Sequence, residues 1–176
     1  MSTRNFLLSL ALATTFGAGA ALAETPGLGK NITEADIKPW NLDVLPDGTN
    51  LPPGSGTPTQ GAAIFAQKCA MCHGEKGEKP APGYSPMVGI KTFDKIDAPK
   101  TVTYYEFATT LFDVIRRSMP FQMPRTLNDN EVYALSAYIL SINKIIGEND
   151  VMDAQSLPKV KMPNAGKFIV RFPDRI

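Results

Sequence analysis

Cys69-Ala70-Met71-Cys72-His73 holds both cysteines of the chain and its one histidine. Two thiols three positions apart close only a tiny loop, and a disulfide there stabilises little. Such spacing serves redox or ligand chemistry instead. Three chemistries compete for it. A thioredoxin-like dithiol sits beside a βαβ unit, whereas this motif ends a helical pattern in a chain almost without strand signals. A structural zinc site takes four ligands, usually from two separated pairs, and no second pair exists here. The remaining reading is a C-x-x-C-H haem-attachment sequence. Two thiols reach the porphyrin vinyl groups as thioethers, and the adjacent imidazole falls under the iron. Cys69, Cys72 and His73 are therefore the candidate haem-binding residues, and one covalent haem c is the expected cofactor. A ligating imidazole is neutral, with its second nitrogen held by an acceptor.

Outward from the motif, the pattern is helical. Residues 58–68 read as a short helix with Thr57 as N-cap, Pro58 at its first position, and Gly61, Ile64, Phe65 and Lys68 at helical spacing. Residues 74–100 form a loop carrying Pro80, Pro82, Pro86 and Pro99, with its clearest turn at Ala81-Pro82-Gly83. The loop is long for a compact domain, which implies that it wraps something. Residues 103–119 place Phe107, Leu111, Val114, Ile115 and Met119 on one face, an amphipathic helix stopped by Pro120. Residues 128–146 are the strongest helix, with Asn128 as N-cap, Glu131 completing a capping box, and Gly147 as the stop. Val132, Leu135, Ile139 and Ile142 are its apolar face. No strand pattern exceeds residues 167–171, and no repeats occur. The expected fold class is all-α.

The iron needs a sixth ligand, and composition leaves few answers. A second histidine is absent, so methionine is the usual alternative. Seven methionines occur. Met1 leaves with the leader described below, and Met71 lies inside the motif. Met87, Met152 and Met162 read as gap-fillers of the core. Met119 and Met123 both precede proline in Ser118-Met119-Pro120-Phe121-Gln122-Met123-Pro124, between two helices. Either can present sulfur to an open iron face.

The ends of the chain differ from its middle. Arg4, the apolar run Phe6-Leu7-Leu8-Ser9-Leu10-Ala11-Leu12-Ala13 and the small-x-small site Ala21-Leu22-Ala23 read as an export signal over residues 1–23, cleaved after Ala23. Localisation in the periplasm follows. No later segment approaches the length of a membrane span. Residues 24–57 are rich in Gly, Pro, Asn and Asp and read as an irregular arm, with a short helical turn at residues 33–37. Trp40, the one tryptophan, either anchors that arm or contacts a partner. Residues 58–147 form the haem domain, and residues 148–176 an irregular tail with Pro158, Pro163 and Pro173. Hydrophobic content of 43% permits a packed core, and fifteen prolines with fourteen glycines account for the irregular stretches. A net charge of +1 argues against a nucleic-acid partner.

These residues resemble class I cytochromes c, in which a first helix ending in the attachment motif crosses a last helix. Gly61 and Phe65 on the first and Tyr138 on the last look like that crossing, where a small residue allows close approach. A narrower resemblance is to the Sox-type cytochrome subunit of sulfane dehydrogenase. It rests on Gly27-Leu28-Gly29-Lys30, Trp40-Asn41-Leu42-Asp43-Val44, Pro46-Asp47-Gly48-Thr49 and Leu51-Pro52-Pro53-Gly54-Ser55-Gly56 in the arm. Residues 109–121 (TTLFDVIRRSMPF), 131–140 (EVYALSAYIL) and Val160-Lys161-Met162-Pro163-Asn164 in the tail extend it over most of the mature chain.

That resemblance implies electron transfer rather than catalysis. The family pairs its cytochrome with a molybdenum-cofactor dehydrogenase subunit that oxidises sulfur compounds, and sulfite dehydrogenases pair similarly. A downstream cytochrome or oxidase takes the electrons. The family pattern puts the axial methionine in the Arg-x-Met-Pro segment, hence Met119, with Met123 as the fallback. It also implies a proline carbonyl that accepts the proximal histidine's N–H; by position that residue is Ser85, with Pro86 next. Sox-type subunits commonly carry a second haem domain, and one motif occurs here. Three functions stay in view: a dedicated redox subunit, a general electron carrier without a fixed partner, and a catalytic thiosulfate-oxidising cytochrome with a labile iron site. Arg116 and Arg117 are candidates for haem propionates or a partner's acidic patch, and Lys68 for the rim of a docking face.

Overall fold

A computed structural model describes residues 29–89 and 101–168. The export signal, the first residues of the arm, Pro99 and the end of the 167–171 strand pattern lie outside the described residues. The chain divides into two compact units, residues 1–41 and 42–176. In the first, helix α1 (Glu34–Ile37) is held by a capping box between Thr33 and Asp36. This is the helical turn the sequence expects at 33–37. Trp40 in this unit is 77% exposed.

The second unit is a set of packed helices with one minimal ribbon. Helix α2 (Pro58–Lys68) starts where its sequence says it should. Thr57 and Gln60 satisfy each other's backbone N–H groups, and Pro58 fills the first turn, where no intrahelical donor is needed. Helix α3 (Ala70–His73) continues it after a break at Cys69. Helix α4 is Ala108–Ser118 and helix α5 is Asp129–Ile142, the latter capped by a reciprocal Asn128–Glu131 box. Strands β1 (Ser55–Gly56) and β2 (Met152–Asp153) pair antiparallel, Ser55 opposite Asp153 and Gly56 opposite Met152. The class is all-α, as expected. Among the described residues no helix is long and apolar enough to cross a membrane.

Two helix boundaries differ from the sequence reading. The amphipathic helix begins at Ala108, not at residue 103. Val102–Tyr104 forms a separate 3-10 turn. The Tyr104 carbonyl accepts a hydrogen bond from the Asn164 side chain at 2.7 Å, and the Thr101 and Thr103 hydroxyls pair at 2.7 Å in the interior. Side chains thus take up polar groups near where the helix would have started. The last helix ends at Ile142, not Ile146. Lys144 adopts a left-handed φ of 58°, its N–H bonds the Ser141 carbonyl, and the Ile145 N–H reaches back to the Leu140 carbonyl. That is a Schellman stop built on lysine instead of on Gly147.

The core lies where α2 and α4 meet α5. Phe65, Phe112, Tyr133, Leu135 and Leu140 are sealed from solvent. Gly61 makes the crossing possible. A Cβ there would lie 1.9 Å from the Ala134 carbonyl oxygen and 2.6 Å from Tyr138 Cβ, so the two backbones touch. Gly56 meets the same residue, its Cβ position 2.2 Å from the Ala134 nitrogen. The Phe65 and Tyr138 rings meet beside this contact with centroids 5.1 Å apart and planes tilted by 53°.

The flanking segments are part of this packing. Tyr133 donates its hydroxyl to the Pro52 carbonyl at 2.8 Å, and the Ser55 N–H donates to the Asn130 side chain at 2.9 Å. From the tail, Met152, Leu157 and Met162 enter the core.

Candidate haem site

The attachment motif is wound into a single helical turn. The Cys69 N–H still bonds the Phe65 carbonyl of α2, and the Cys72 and His73 N–H groups both bond the Cys69 carbonyl. Chain direction then changes at Gly74, which has a φ of 77°. A Cβ there would sit 2.3 Å from the Lys79 carbonyl oxygen, so only glycine permits the turn. The following loop folds back onto the motif. The Ala81 N–H bonds the Cys72 carbonyl at 2.9 Å, and the Met87 N–H bonds the Gly77 carbonyl at 2.7 Å. The Asn143 side chain, just past α5, holds the Met87 carbonyl at 3.1 Å.

Cys69, Cys72 and His73 line a cavity of about 490 Å³. Phe65, Leu135, Ile139 and Ile115 give it apolar walls, and Met119 lines it too. This volume falls within the range of small-molecule and cofactor sites. Met119 is the residue just past α4, in extended backbone (φ −115°, ψ 148°), and its peptide bond to Pro120 is cis. Met123 lines the same cavity but is 62% exposed. Met87 also lines it, whereas Met152 and Met162 are buried in the core.

The electrostatics suit a neutral, ligating imidazole. Burial holds His73 below the usual histidine range, because desolvation disfavours the charged ring. Its Nδ1 is buried with no hydrogen-bond partner among the described residues, so neither the Ser85 nor the Pro86 carbonyl is bonded to it. Burial also pushes the Cys69 thiol up to about 11, and thioether formation removes that ionisation. Apolar walls, two thiols at the attachment spacing and an orphaned imidazole together fit a covalently held haem.

Sequence reasoning missed Tyr84. Its ring meets His73 edge-on at 5.9 Å, and a hydrogen bond with the Cys72 side chain raises its pKa. The Pro82-Gly83 turn immediately before it was the available signal. The three basic candidates already have carboxylate partners. Lys68 Nζ bonds Glu131 at 2.6 Å, Arg116 pairs with Asp129 at 3.3 Å, and Arg117 pairs with both Asp43 and Asp113.

A family model for cytochrome c matches residues 58–143. A chain in the crystal structure of the sulfane dehydrogenase SoxCD from Paracoccus pantotrophus is 34% identical, with a TM-score of 0.74. The match covers 85% of this chain and 73% of that one. This chain belongs to the cytochrome c family. The cytochrome's cofactor is covalently bound haem c, and Cys69 and Cys72 stand in the matching arrangement. Its domain is an electron-transfer module. Likeness to the SoxCD chain extends well beyond residues 58–143, into the segments that flank the haem domain.

Proposed function

We propose that this is a periplasmic monohaem cytochrome that accepts electrons from a molybdenum-cofactor dehydrogenase oxidising sulfite or sulfane sulfur, and passes them to a downstream cytochrome or oxidase. The observation that carries the reading is the likeness to a SoxCD chain over 85% of the present one. A general carrier would need only the domain at residues 58–143. In the proposed architecture that domain runs over residues 58–147, with the arm and tail on either side, after removal of an export signal following Ala23.

Haem iron, when bound, supplies a one-electron couple. The residues of the chain do the rest. Cys69 and Cys72 fix the porphyrin to the end of α2. His73, whose burial disfavours the charged ring, would bind the iron. Met119 would supply a second protein ligand, with Met123 as fallback. Phe65, Leu135 and Ile139 give the cavity apolar walls, and a preorganised apolar surround limits reorganisation when charge moves.

The test is to mix the oxidised holoprotein with a molybdenum sulfite or sulfane dehydrogenase of the same organism. The haem should be reduced only when the sulfur substrate is added. Reduction by unrelated donors at equal rates, with none from the dehydrogenase, would favour a general carrier instead.

A further inference from the structure

The sequence offers Arg116 and Arg117 to propionates or to a partner, but the structure commits both to intramolecular work around Met119. Arg117 joins α4 to the arm. Its guanidinium bonds Asp113 one turn back and pairs with Asp43 at 3.2 Å. Asp113 is only 8% exposed, and its other oxygen accepts the Val44 N–H at 3.3 Å. A buried carboxylate is tolerable only with such partners. Arg116 works in another direction. It pairs with Asp129, the first residue of α5, and so ties together the two ends of the loop that runs from Met119 to Asn128. Within that loop the Met123 N–H bonds the Pro120 carbonyl, and the Thr126 hydroxyl bonds the Met123 carbonyl.

Met119 follows the last turn of α4 directly, and its N–H still bonds the Ile115 carbonyl at 3.1 Å. Where its sulfur can reach is therefore set by how firmly that turn is held. The holding groups are Asp113 and Arg117, and behind them the arm residues Asp43 and Val44. We infer that Asp113 is a positioning residue for the sixth iron ligand, and that the Asp43-Val44 segment of the arm steadies Met119 through it and Arg117. The inference rests on Met119 being that ligand, as proposed above.

Free imidazole is a suitable probe, because it binds ferric iron only when the sixth ligand lets go. In the holoprotein, Asp113→Asn should raise the apparent imidazole affinity about tenfold or more, the scale of a lost charge-assisted hydrogen bond. Arg117→Lys, which keeps a cation beside Asp113 but loses the guanidinium fork, should raise it by a smaller factor and guards against misfolding of the first variant. In a Met119→Ala background, where the affinity is already high, neither substitution should change it further. A merely structural role would lower the unfolding midpoint and leave imidazole affinity alone. That result, with Met119→Ala itself responsive, would overturn the inference while sparing the ligand assignment. If Met119→Ala left the affinity unchanged, the assignment would fall and the inference with it.

Discussion

The residues of the attachment motif and Met119, which line one cavity, are held by different forces. On the Cys69-Cys72-His73 side, α2 lies directly on α5, with Gly61 and Gly56 both against the backbone of Ala134. Nothing adjustable separates these backbone segments. On the Met119 side, α4 is succeeded by an exposed loop whose ends are joined by charged side chains. Steric contact between backbones is all-or-none, whereas ion pairs near the surface contribute in small increments. The attachment side is thereby fixed, and the ligand side can be altered without dismantling the fold.

The sharpest way to break this contrast is at Gly61. In Gly61→Ala the new methyl group has no flexible neighbour to push aside, since the obstructing atom is a backbone carbonyl oxygen. The unfolding free energy should fall by about 3 kcal/mol, at the upper end of overpacking penalties, as read from urea denaturation of the holoprotein. A loss under about 1 kcal/mol would mean that the helices part easily and that the contrast is false.

An ion pair on the other side should matter far less. Arg116→Gln removes the 3.3 Å contact with Asp129 and should cost no more than about 1 kcal/mol. The difference from wild type should shrink as salt is added. A cost equal to that of Gly61→Ala, insensitive to salt, would make the two sides equivalent.

The smallest effect should come from acid. Glu131 is held below the ordinary glutamate range, first by its hydrogen bond from Lys68, which outweighs the opposing effect of burial. A carboxylate whose folded pKa is depressed adds stability that is complete above its unfolded pKa. That stability disappears as pH falls through the folded value. Wild type should therefore lose its advantage over Glu131→Gln at mildly to strongly acidic pH, and keep it unchanged near neutrality. A gap that widened towards low pH would reverse the sign and refute the assignment.

Legibility in the sequence follows the same division. Thr57 with Pro58, and Asn128 with Glu131, are local signals, and both helix starts appear where those residues put them. Gly61, Phe65 and Tyr138 were legible as a crossing because a family pattern placed them opposite each other. The helix stop at Lys144 was hidden, because a non-glycine residue took the left-handed position. The roles of Asp113 and Leu157 were hidden for another reason. Asp113 is a lone acid on an amphipathic helix, and only folding brings the Val44 N–H to it. Leu157 enters the core singly from a segment without periodicity, so no repeat announces it, whereas Met152 and Met162 read as core residues and are buried there. Gly56 belongs to a strand of two residues and reads in the sequence as part of an irregular arm.

The methionine–iron charge-transfer band of the ferric holoprotein tests the ligand side most directly. The account predicts that Met119→Ala abolishes the band while Met123→Ala retains it. A band that survived in Met119→Ala and vanished in Met123→Ala would contradict it.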